Sequence, residues 1–189
     1  MMEEPIKKSI SPELVVPLEV YQRGSRVGGS ATLSDIRFHN IGASLKRFKV
    51  PKKMRPTVQV DVSSSPVTAS GSFVVMAEYS VNIYDHSEDA NDDHRQRDGY
   101  GEETPRGSDS AEASVENLIA SIEVSVAALY RTQGLPDDVA EDEVESFAMS
   151  GGLLALHPYA REAVASSLQR LGLPSYQMRT IKIITNVAD

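Results

Sequence analysis

Apolar and polar residues alternate along three long stretches of the chain. From Thr57 to Ser63, Val58, Val60 and Val62 share one side and Gln59 and Asp61 the other, the period-two pattern of a strand with one buried face. Phe73 to Tyr84 repeats it, with Val75, Ala77, Tyr79, Val81 and Ile83 on one side. From Val115 to Tyr130 the even positions from Leu118 onward are apolar throughout, while Asn117, Ser121, Glu123 and Ser125 fall between them. Residues 14–23 and 31–39 also read as strands. In the second, strict alternation puts Thr32, Ser34, Ile36 and Phe38 on one side and Leu33, Asp35, Arg37 and His39 on the other. Gly28-Gly29 between those two segments predicts a bulge or break. The β-branched run within 176–187 predicts an extended tail. Strands of this kind pair antiparallel, leaving one dry face to be covered.

The cover comes from two helices. Pro158 suits a first helical position, where its missing N–H has no partner to lose. Gly172 can take the left-handed turn that ends a helix, and Pro174 blocks continuation. Between them Ala160, Ala163, Val164, Ser167, Leu168 and Leu171 form one stripe, with Arg161, Glu162, Ser166, Gln169 and Arg170 mostly opposite. A shorter helix follows Gly134-Leu135-Pro136, with Asp137 or Asp138 as its cap. Its buried stripe is Ala140, Val144, Phe147 and Ala148, and Glu141, Asp142, Glu143 and Glu145 face water. Gly151-Gly152 then predicts a break before Leu153. The expected fold is α+β: a four-stranded antiparallel sheet with helices packed on one face, in a single domain over residues 1–189.

Charge divides the chain further. Of its net −8, residues 1–84 carry eleven basic and seven acidic side chains, and residues 85–116 carry three basic and eleven acidic. The second stretch has almost no apolar residues to offset the entropy of ordering it, so 87–112 is expected to be a disordered acidic insertion. His86 and His94 lie there among Asp85, Asp89, Asp92 and Asp93. No rigid element holds them in ligand geometry, so no metal site is expected. The cations Lys46, Arg47, Lys49, Lys52, Lys53 and Arg55 cluster beside Pro51 and Pro56 and read as a solvated connection. A regulatory or nucleic-acid-binding module using segment 46–55 is the alternative they keep open.

Catalytic patterns are missing. The chain has no cysteine, hence no disulfide, thiolate ligand or cysteine nucleophile. His39, His86, His94 and His157 fall in no HExxH motif, and there is no GxSxG elbow. No apolar run reaches the ~18 residues a membrane helix needs. The acidic Met1-Met2-Glu3-Glu4-Pro5 start lacks a signal-peptide pattern. A cytoplasmic binding protein, not an enzyme and without a cofactor, is the expectation.

Pro158-Tyr159-Ala160-Arg161-Glu162, opening a helix that ends near Leu173-Pro174, resembles the signature of SecB, the bacterial export chaperone. Ser34 to Phe38 looks like the end of that family's first strand, Val58 to Val62 like its second, and Ile122 to Tyr130 like its fourth. The resemblance implies an ATP-independent holdase that binds unfolded or nascent polypeptides, assembled as a homotetramer, a dimer of dimers. It implies client contacts at Phe38, Val58, Val60 and Val62, and a surface for the SecA motor at Asp35 and Glu123. His39 stands where the family has another acid, and only 15 residues follow Pro174, leaving little room for the family's C-terminal SecA-contacting segment. The acidic stretch and short tail are more similar to the SecB-like chaperones of toxin–antitoxin–chaperone modules. The implied client is therefore an antitoxin, with preproteins for export as the other possibility.

Overall fold

Four long strands form the body of the sheet: β3 (Ala31–Leu45), β4 (Met54–Ser64), β5 (Ser72–Asp85) and β6 (Leu118–Thr132). The computed structural model describes residues 8–9, 13–48, 50–86, 117–133 and 139–186. The expected insertion 87–112 and the capping candidates Asp137 and Asp138 lie outside the described residues. A two-residue strand, β1 (Lys8–Ser9), flanks β4, and the order across the sheet is β1-β4-β5-β6-β3 with every pair antiparallel. β4 and β5 are adjacent in sequence and in space, whereas β3 returns beside β6, a Greek-key order. Residues 46–53 must therefore cross the whole sheet end, and their backbone is fixed as they do so. Ile119 O accepts from the N–H groups of Lys46 and Arg47 at 2.7 and 3.3 Å, and Lys53 O accepts from His86 N–H at 3.0 Å.

One sheet face is dry. Phe73, Val75, Ala77, Tyr79, Val81 and Ile83 of β5 are buried there beside Ala120, Ile122, Val124, Val126, Ala128 and Tyr130 of β6, as the alternation predicts. Against them packs α3 (Leu153–Arg170), through Leu153, Leu156, Ala160, Val164 and Leu168. Phe73 stacks on Tyr130 with ring centroids 5.3 Å apart, and Phe147 meets both edge-on at 5.9 and 5.0 Å. α3 ends as expected. Gly172 has φ +71°, Leu173 N–H reaches Leu168 O and Gly172 N–H reaches Gln169 O, both at 3.0 Å. Buried Leu173 beside Leu168 completes a Schellman close.

Several local expectations need correction. Residues 18–23 are helical, not strand: β2 (Glu13–Pro17) passes directly into α1 (Leu18–Ser30), which also contains Gly28 and Gly29. Three glycines and two valines make α1 a poor helix former by propensity. Tertiary packing overrides that, because a Cβ on Gly24 would lie 2.7 Å from Ser146 O of the neighbouring helical segment. That segment, α2 (Glu141–Phe147), starts from Ala140 at the cap. Asp142 and Glu143, expected to face water alone, pair with Arg23 and Arg26 of α1 at 2.8 and 3.1 Å.

Nor does Gly151-Gly152 break the chain. It forms a π-helical turn (Ala148–Gly152) that joins α2 to α3. A Cβ on Gly152 would meet Val75 Cγ1 at 2.9 Å, so glycine is what lets this turn press onto the sheet. Pro158 accordingly sits inside α3, not at its first position. The carbonyl it leaves unpaired belongs to Leu154, and both residues are exposed, so water can take the missing donor's place.

The tail after α3 returns along the protein to form β7 (Lys182–Asn186), which pairs parallel with β2 from Glu13↔Lys182 to Pro17↔Asn186. His157 of α3 fastens it. A carbonyl can only accept, so Nε2–H donates to Arg179 O at 2.8 Å, and Nδ1 is left to accept from Tyr79 O–H at 3.3 Å. Burial holds the His157 pKa below its ordinary value, opposed by the bond to Arg179 and reinforced by nearby Arg161.

Two measurements check this packing. Leu168→Ala removes a fully buried side chain and should cost about 2–5 kcal/mol in urea unfolding. For His157, the unfolded chain takes up a proton near pH 6.5 that the native chain resists. Its contribution should be complete above about pH 7.5 and decline as the pH falls through about 6.5. Unfolding midpoints across that range should show a wild-type slope that His157→Gln flattens.

Candidate functional site

An edge strand with an uncovered apolar face is the feature that positions the site. β3 pairs with β6 through a register that shifts twice, between Leu33 and Asp35 and between Phe38 and Asn40. Each shift inserts one extra residue, Ser34 and then His39, which has no opposite number on β6. Leu33 therefore lies opposite Tyr130, Ile36 opposite Ala128, Phe38 opposite Val126, Ile41 opposite Val124 and Leu45 opposite Ala120. Directly opposed residues share a face, so all five lie on the dry, helix-bearing side. Strict alternation had put Leu33 on the other side from Phe38; the bulge at Ser34 reverses it. The second bulge keeps Ile41 in the row.

On β5 and β6 the helices cover that face; on β3 Ile36 and Leu45 pack against the core, but three large side chains stay uncovered. Leu33 is 43% exposed, Phe38 44% and Ile41 47%, while their partners on β6 are buried. From Leu33 to Leu45 the row runs alongside ten residue steps of β6, from Tyr130 to Ala120, about 34 Å at ~3.4 Å per residue. It continues into the crossover, where Phe48 is fully exposed and Val50 largely so. The other side of β3 has no strand partner among the described residues. An apolar strip beside free backbone donors and acceptors can take an extended polypeptide by side-chain contact, strand addition or both.

The valines implied as client contacts lie on the same dry face but at the opposite edge. Val58, Val60 and Val62 oppose Val81, Tyr79 and Ala77. Val60 is only 4% exposed and belongs to the core, with Val58 and Val62 half-buried beside it. Of the four implied contacts, Phe38 alone presents a large exposed surface. Leu33, Ile41 and Phe48 escape the sequence reading, because only the bulged register and the crossover path bring them into line with it.

The outer face is polar. Asp61, Glu78 and Glu123 line one shallow depression with Asn40, Ser80 and Ser125, Asp61 opposing Glu78 across β4 and β5. Asp35 shares this face but lies six residues along β6 from Glu123 by register, about 20 Å at ~3.4 Å per residue. Its carboxylate is engaged by Arg37 Nε at 2.7 Å. The two implied SecA residues are thus on one face and far apart. In the signature helix, Ala160 is buried, Pro158, Tyr159 and Glu162 are exposed, and Arg161 donates to Thr180 Oγ1 at 3.3 Å. Ala160 packs α3 onto the sheet and Arg161 tethers it to the tail. Among the described residues, no His, Asp or Glu group is arranged to hold a metal ion, and no helix is long and apolar enough to cross a membrane.

No family model matches the chain. The SecB-like chaperone Rv1957 of Mycobacterium tuberculosis is 29% identical over 164 residues, covering 83% of this chain and 81% of that protein. A second SecB-like chaperone of M. tuberculosis, MT2006, is 27% identical over the same length. Among solved structures, Rv1957 in complex with a ChAD peptide from the Rv1956 HigA1 antitoxin superimposes with a TM-score of 0.62. It shares 22% identity, covering 85% of this chain and 96% of that one. In sequence and in fold alike, the chain is similar to the SecB-like chaperones.

Proposed function

We propose that the protein is an ATP-independent holdase whose client is a dedicated, extended polypeptide such as an antitoxin segment, gripped along the apolar row of β3. The observation that carries this reading is the uncovered row itself: Leu33, Phe38 and Ile41, each more than two-fifths exposed on the inner face of an edge strand. The three side chains, the client side chains set against them and backbone hydrogen bonds along the free edge together supply the grip. The grip needs only surface and backbone. The complex of the related Rv1957 with an antitoxin peptide supports the choice of client. A SecA-binding export chaperone is supported less, because Asp35 is taken up by Arg37 and lies far from Glu123.

Client grip should be lost in Phe38→Asp/Ile41→Asp. In a light-scattering assay of an aggregating unfolded protein without ATP, suppression should fall at least tenfold. Glu78→Lys, on the outer face, should leave it intact. Far-UV circular dichroism and oligomer mass should be unchanged in both. A double variant that still suppresses aggregation would sink the proposal, and one that loses oligomer mass would reassign the row to a subunit interface.

We further infer a homotetramer, a dimer of dimers, supported by the likeness in fold to a SecB-like chaperone and the closed symmetry usual in homo-oligomers. Multi-angle light scattering across the micromolar range should return about four times the 20.6 kDa chain mass. A constant monomer mass would contradict it.

A further inference from the structure

We propose that the tail after α3 is an acid-released latch: in mildly acidic solution residues 176–186 lift from the body as a unit, while the sheet and α3 stay folded. Few bonds hold this tail. Between Gly172, where α3 closes, and Lys182, where β7 begins, the chain has no regular structure. Among the described residues, and outside the β2–β7 pairing, no backbone–backbone hydrogen bond joins 174–181 to the rest of the protein. Two side chains of α3 reach it, His157 at Arg179 O (2.8 Å) and the exposed Arg161 at Thr180 Oγ1 (3.3 Å). Its apolar anchors are Met178 and Ile181, both buried. β7 adds five residues paired with β2 alone, a two-stranded unit that is marginal by itself. A segment with so few contacts opens locally well before the core does.

His157 is where a proton acts. It is 5% exposed, and its two hydrogen-bond partners, the Tyr79 hydroxyl and the Arg179 carbonyl, are neutral. From the sheet, Tyr79 is flanked on the inner face by Val60 on β4, Val124 on β6, and Ala77 and Val81 on β5. Asp61, Glu78 and Glu123 lie across the sheet on the outer face. On α3 itself the charge acting on the ring is Arg161, of like sign to an imidazolium, and Glu162 is exposed. The tail brings the exposed Arg179 and Lys182 and the half-buried Tyr176. Burial pushes the phenols of Tyr79 and Tyr176 up, so both stay neutral in acid. A protonated His157 would thus be a dry cation with no carboxylate partner. Its bond to Arg179 O would strengthen, but burial outweighs that and holds the ring below its ordinary pKa. The open form therefore binds the proton more tightly: the latch is fully closed above the ordinary value of about 6.5 and loosens as the pH falls below it. Moving α3 would hydrate the ring only by uncovering Leu156, Ala160, Val164 and Leu168, whereas lifting the tail gives up two apolar anchors. Nothing in the latch depends on where a client is held.

Hydrogen–deuterium exchange of the full chain, read by mass spectrometry at pH 7.5 and pH 5.0 and corrected for intrinsic exchange, tests the latch. One proton taken up over about 1.5 pH units below 6.5 changes an opening equilibrium by at most about thirtyfold. Protection of 176–186 should fall by between about threefold and that bound, with residues 73–83 and 119–130 unchanged. In His157→Gln, tail protection should be the same at both pH values. A second measurement does not depend on how that variant folds: in the wild-type chain labelled with nitrogen-15 at histidine, the His157 ring should titrate at the midpoint of the tail's loss of protection. A change outside the stated range, or one that persists in His157→Gln, overturns the proposal. So does a ring midpoint that differs from the tail's. An equal loss over 73–83 and 119–130 would show acid unfolding of the whole chain and overturn it as well. Glu13 stands opposite Lys182 in the β2–β7 register; a pH response abolished by Glu13→Gln but kept in His157→Gln would assign the proton there and sink the latch.

Discussion

The structure depends on a mismatch of widths. An α-helix with its side chains is about 10 Å across and neighbouring strands are about 4.8 Å apart, so one helix covers roughly two strands. α3 lies chiefly over β6 and β5, and the α2 and π-turn segment reaches the β4 side. α3 and α1 also touch β3, but they leave Leu33, Phe38 and Ile41 exposed. Val60 on β4 is part of the core, while Ile41, at the corresponding height on β3, keeps 47% of its surface in water. Four apolar strand faces were laid down, and the cover over the fourth is partial.

Leaving an apolar edge exposed costs solubility and invites aggregation, so its retention needs a physical use. The two bulges indicate that use. Without the extra residues at Ser34 and His39, Leu33 and Ile41 would point to opposite faces from Phe38 and no continuous row could form. With them, an otherwise half-polar sequence shows its apolar side chains in one line. Bulges also twist and interrupt the free edge, which limits indiscriminate pairing with another sheet.

The remaining architecture steadies that platform. The glycines of α1 and of the π turn permit backbone approaches that a methyl group would block at 2.7 and 2.9 Å, drawing the helical layer down onto β5. The His157 link holds the tail in place, so that β7 can pair with β2 and close the layer on that side. The crossover at the sheet end is obligatory for a Greek-key order.

The sequence by itself determined the three most regular strands, the buried stripe of α3 and its glycine close, because each depends on contacts within one element and its period. It also carried the likeness to SecB, through the string from Pro158 to Glu162. It could not reveal that Gly28, Gly29, Gly151 and Gly152 lie in helical segments, since their tolerance comes from neighbours such as Ser146 and Val75 that are distant in sequence. The client surface was legible only in part. Phe38 stood out, but Val60 and Phe38 show the same apolar alternation, and what separates them is how completely the rest of the fold covers each. The bulged register of β3 and the reach of α3 decide that, and both are properties of packing between elements, which no local pattern contains.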